Sequence, residues 1–189
     1  MSEAATTNAV TTRRVRWWPV AAAVALAAAI SFGLADGAEV APVLAASAFI
    51  YLGAAALQKP SAAWPVFVAS FVVLTIAKVL DDAFDPTYAL VVLGAALVVY
   101  GLLRGAARPS SGLPLQSIAM VVVGAAAVIA PVVDRDLGGY IVAFGLLGHA
   151  GWDLYHHRTG RVVVRSMAEF CLVLDILLAL AILAVTVLG

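Results

Sequence analysis

Seven long apolar runs, separated only by short polar breaks, leave this chain little choice of fold. Hydrocarbon offers backbone N–H and C=O groups no partner, so a single run that crosses it must bond within itself as a helix. A span needs about 17–25 mostly apolar residues. The runs Trp17–Ala35, Val40–Leu57, Trp64–Leu80, Thr87–Leu103, Leu115–Val133, Gly139–Tyr155 and Ser166–Leu188 meet that length. Short breaks make consecutive helices antiparallel neighbours and leave no room for a soluble domain. The expected fold is therefore all-α: a polytopic membrane bundle of seven transmembrane helices over residues 17–189. Residues 1–16 form a small polar tail with nothing to bury, read as a disordered cytoplasmic segment.

Composition agrees. The chain is 64% hydrophobic and 12% charged, against roughly 45–50% and about 25% in soluble domains. Its mean hydropathy is +1.06. No basic face interleaved with aromatics is present, so nucleic acid is not an expected partner. The single cysteine, Cys171, cannot form an intramolecular disulfide and implies no oxidising compartment.

The breaks alternate in charge. Arg13, Arg14, Arg16, Lys59, Arg104, Arg108, Arg158, Arg161 and Arg165 fall on one side of a seven-span chain. Asp36, Glu39, Asp81, Asp82, Asp85, Asp134 and Asp136 fall on the other, with Arg135 and Lys78 as the exceptions. Basic loops stay in the cytoplasm. The predicted protein is thus a multi-pass protein of the inner (plasma) membrane, N-terminus in and C-terminus out. Trp17, Trp18, Trp64, Tyr100, Trp152 and Tyr155 would mark the cytoplasmic interface, and Tyr88 and Tyr140 the outer one. Lys78 sits near the acidic end, where its stem can snorkel to the surface.

The stretch Gly145–Asp175 departs from this pattern. It holds all three histidines, His149, His156 and His157, and the carboxylates Asp153, Glu169 and Asp175. An ionised group at the centre of a span costs roughly 2.5–3.5 kcal/mol on insertion scales, so these groups need partners. At ~1.5 Å per residue, His149 and Asp175 lie ~13 and ~15 Å below the basic surface, and Asp153 and Glu169 ~7 and ~6 Å below it. On antiparallel helices this layers His149 with Asp175 and Asp153 with Glu169. His149, Asp153 and His156 are spaced i, i+4, i+7 and share one helix face. Glu169 and Asp175 stand about 120° apart at 100° per residue, so one face does not present both. Gly145, Gly148 and Gly151 offer room for a neighbouring helix beside His149.

Three functions fit these residues. In the first, His149, Asp153, His156 and Glu169 ligate a metal, zinc or iron, since imidazole and carboxylate suit both. The metal activates water to hydrolyse a lipid-soluble substrate at the cytoplasmic leaflet, with Asp175 and Glu169 as catalytic carboxylates. In the second, the same groups relay protons in a small ion-coupled transporter. In the third, His–Asp pairs and protonated carboxyls only fix helix packing. Membrane lipid is the partner in every case. No His-Glu-x-x-His motif, phosphate loop or Gly-x-Ser-x-Gly elbow occurs.

In composition the whole chain resembles the small Ala/Val-rich multi-span proteins of high-GC actinobacteria, a likeness that implies no mechanism. The His149-x3-Asp153 pair within seven spans loosely resembles the zinc hydrolases of the alkaline ceramidase and adiponectin-receptor group, with aspartate where that group has a second histidine. That resemblance implies a cytoplasmic N-terminus and a zinc centre of histidine ligands with a nearby aspartate. The Asp153-x2-His156-His157 run is similar to the histidine boxes of di-iron fatty-acid hydroxylases and desaturases, which use more histidines than the three present here.

Overall fold

The structure, a computed structural model, describes residues 17–80, 84–108 and 112–188. The predicted tail, Asp81 and Asp82 lie outside them. Among the described residues every regular element is helical. The seven α-helices are α1 Trp18–Ser31, α2 Ala41–Ala56, α3 Ala63–Val79, α4 Pro86–Leu103, α5 Leu113–Ile129, α6 Arg135–Thr159 and α7 Arg165–Leu188. Short 3-10 turns lead into α2 (Gly37–Val40) and α3 (Pro60–Ala62) and extend α5 (Ala130–Val132). With its turns, each of Gly37–Ala56, Pro60–Val79, Pro86–Leu103, Leu113–Val132 and Arg165–Leu188 is long and apolar enough to cross a membrane. This is an all-helical membrane protein. The first helix is apolar but has only 14 residues. The sixth has 25 but carries polar groups along its length.

Local chemistry sets the boundaries. The Asp36 carboxylate accepts from Ala38 N, that of Asp85 from Thr87 N, and that of Asp134 from Leu137 N. Each occupies an orphan amide at a helix start. All three open elements that begin at the acidic end of the bundle. The acidic breaks are thus partly a capping pattern, and the topological signal rests on the basic residues, which alone carry weight in the positive-inside rule. The sixth helix outruns the predicted Gly139–Tyr155. Asp134 starts it early, and Gly160, at φ +64°, stops it late with its N–H on His156 O. His156, His157 and Arg158 therefore belong to its last turn rather than to a loop. The first helix stops at Ser31, short of the predicted Ala35, where Gly33 turns the chain at φ +77°.

Contacts across the bundle place the two classes of break at opposite ends. At the basic end, Gln58 Nε2 donates to Arg104 O at 3.1 Å, and Trp64 Nε1 donates to Ser166 Oγ at 3.2 Å. At the acidic end, Arg135, one of the two exceptions to the charge pattern, donates to the Ala35 carbonyl and faces Asp36 at 4.0 Å. The other exception, Lys78, is exposed.

The second helix is the axis of the fold. Fourteen of its 16 residues are buried, and α3, α4, α5 and α6 all pack against it. A helix apolar on every side is one enclosed by others. Its alanines let those neighbours approach, in the manner of small-residue packing in membranes. Close approach recurs at the turn before it, where a Cβ on Gly37 would lie 2.5 Å from Ile182 Cγ2 and 2.9 Å from Gly139 Cα. The outer helices instead turn large apolar side chains outward, such as Val92 and Val121, 67% and 71% exposed. In water such faces would drive aggregation; in lipid they need no cover.

A candidate metal centre between helices two, six and seven

The i, i+4, i+7 spacing puts His149, Asp153 and His156 on the inner face of α6, and all three are buried. The antiparallel α7 brings Asp175 to the same depth, also buried. His149 Nδ1 lies 2.9 Å from Asp175 Oδ2 and 3.4 Å from Asp153 Oδ2. The predicted His149–Asp175 layer is thus present.

The Asp153–Glu169 layer does not form. Asp153 instead accepts through Oδ1 from the Tyr51 hydroxyl of α2, at 2.5 Å. Glu169 is half-buried and makes no hydrogen bond or ion pair among the described residues. The physical reason is the rotation noted above: once Asp175 faces α6, Glu169 is turned aside. Gly145 does admit a neighbour, since a Cβ there would meet Leu44 Cδ2 of α2 at 2.7 Å. Gly148 and Gly151 have nothing within 4 Å of that position and serve no close approach.

His156 belongs to a second polar group. Its Nδ1 lies 2.9 Å from Trp152 O, and its Nε2 lies 3.3 Å from Gln116 Nε2. A carbonyl only accepts and an amide nitrogen only donates. The ring is therefore neutral with its proton on Nδ1, and its Nε2 lone pair is taken by Gln116. Gln116 Oε1 in turn accepts from Trp152 Nε1 at 3.2 Å. The Tyr51 ring stands edge-on between the two groups, with centroids 5.2 Å from His149 and 5.0 Å from His156. Gln116→Leu is expected to strand both Trp152 Nε1 and His156 Nε2. The cost is about 1–3 kcal/mol, read as a lower melting temperature in detergent, with metal binding unchanged.

Together, His149, Asp153 and Asp175 each offer a ligand atom within 4.8 Å of the others. His156 and Glu169 stay outside that set. Two buried atoms of the set, His149 Nε2 and Asp153 Oδ2, have no hydrogen-bond partner among the described residues. Tyr51 and Gln116 are the contributors that sequence reading missed. Their signal was a phenol and an amide set inside apolar runs.

A cavity of about 930 Å³ approaches the centre from the acidic end, between α1, α2, α3 and α7. Glu39, Lys78 and Asp85 stand at its outer end, and Cys171 and Asp175 line its depth. Its walls are mainly hydrocarbon, from residues such as Leu26, Ile50, Phe67, Phe71 and Leu174.

Compared with known proteins, the chain matches no protein family, no curated protein and no solved structure.

Proposed function

We propose that this protein crosses the plasma membrane seven times, N-terminus in the cytoplasm and C-terminus outside, and that its His149/Asp153/Asp175 centre holds a divalent metal for hydrolysis of a lipid-soluble substrate. The observation that carries the reading is the buried carboxylate oxygen Asp153 Oδ2, without a hydrogen bond among the described residues and 3.4 Å from an imidazole that also faces Asp175. A carboxylate buried without compensation is costly. A dication beside two carboxylates and a neutral imidazole makes the group neutral as a whole. One imidazole and two carboxylates suit zinc. The iron site of two histidines and one carboxylate would need His156, which is committed to Gln116. A bound zinc would supply activated water; Asp175, on the cavity wall, would meet the substrate.

The topology rests on the basic residues gathered at one end. The first helix, about 21 Å long at 1.5 Å per residue, crosses by local thinning of the bilayer. The sixth crosses because its polar groups face inward while Leu137, Phe144 and Leu154 face out. With this orientation the cavity favours entry from the outer leaflet, in place of the cytoplasmic leaflet expected from sequence.

Elemental analysis tests the centre. Protein purified without chelator and reconstituted with zinc is expected to hold about one ion per chain, as a single site would, and His149→Ala to hold none. Sub-stoichiometric metal in the wild type, or equal metal in the variant, would refute it. A proton relay is the second reading, because His149 Nδ1 reaches both carboxylates and one proton can pass among them. It requires pH-driven flux in proteoliposomes that Asp175→Asn abolishes.

A further inference from the structure

The cavity walls carry four hydroxyls; that of Thr87 lies at the outer end near Asp85, and the three along the passage have their protons already spent. Ser47 Oγ donates to Leu44 O, Ser70 Oγ to Phe67 O and Thr75 Oγ1 to Phe71 O, all at 2.8 Å. An occupant therefore meets hydrocarbon along the passage, charge at the outer end and a carboxylate, Asp175, at depth. At about 30 Å³ per water-sized group, a volume of about 930 Å³ takes roughly thirty such groups. That is one long chain with a small polar end. It is too little for a phospholipid with both its acyl chains.

We infer that the cavity binds a single-chain lipid, polar end inward, with a hydrogen-bond donor such as a hydroxyl offered to Asp175. The opposite orientation would press a methyl terminus on a buried carboxylate and leave it no partner besides His149. The inference names the substrate class of the proposed hydrolase, and rests on that reading only for the claim that the bound lipid is turned over.

The test uses a sixteen-carbon alcohol carrying a diazirine and an alkyne, photolysed with the full-length protein in detergent, with and without chelator. Crosslinks are expected on Phe67–Thr75 and Phe170–Asp175. Excess hexadecanol should remove them, and an equal excess of a two-chain phospholipid should not. Ser70→Trp and, as an independent filling of the opposite wall, Ala46→Phe should each weaken labelling about tenfold, equivalent to ~1.4 kcal/mol. Labelling confined to the outward faces of α4 and α5, or equal competition by phospholipid, would overturn the proposal. The competition in wild type decides even if both variants fail to fold. Chelation separates the two claims. Labelling that persists in protein that never binds metal sinks the hydrolase alone. Full metal with no cavity labelling sinks the lipid alone.

Discussion

Asp175→Ala is expected to abolish metal binding and to lower stability by about 3–5 kcal/mol, the cost of removing one partner from a buried charged pair. In the native chain its carboxylate lies 2.9 Å from His149 Nδ1, in a site shielded from solvent. Without it, His149 faces only Asp153, at 3.4 Å, and the cavity extends to the imidazole. Asp175→Asn separates the two effects. The amide keeps the size and an acceptor for His149 but loses the charge, so the fold should survive while the metal is lost. Thermal melting and elemental analysis of the same samples read both. An asparagine variant with undiminished metal would show that Asp175 is no ligand. Because the two side chains touch, His149→Ala combined with Asp175→Ala should cost less than the sum of the single changes.

Tyr51→Phe is the second large effect. The ring stays, and with it the packing between the two imidazoles. Only the hydroxyl that holds Asp153 Oδ1 is removed. Outer partners of this kind orient a ligand and typically contribute 10–100-fold to metal affinity. A competition titration against a chelating dye is therefore expected to show zinc binding about 10–100-fold weaker, with the overall helical content unchanged. Unaltered affinity would mean that Asp153 is positioned by something other than α2.

The sequence revealed the helices well because a long apolar run that must satisfy its own backbone hydrogen bonds can do so only as a helix. It was less informative at their ends. The sixth helix is bounded by Asp134 and Gly160, a cap and a stop, and not by where its charges begin. The site was legible along the chain and opaque across it. Depth counting on two helices joined by a short turn found His149 opposite Asp175. The same counting placed Asp153 opposite Glu169, because depth carries no information about rotation. Asp153 pairs instead with a residue 102 positions earlier, on a helix whose sequence shows only that it is apolar all round. Gln116 was hidden for the same reason: its partners, Trp152 and His156, sit on another helix.

The enclosed position of α2 sets a problem in time. It leaves the ribosome early, yet the surfaces that surround it include α5 and α6, which are made much later. Its hydroxyl at Tyr51 must wait in lipid or beside the insertion machinery until the sixth helix arrives with a carboxylate to receive it. Assembly of this bundle is therefore a closing of late helices around an early one, and nascent chains halted before α6 should remain open to protease.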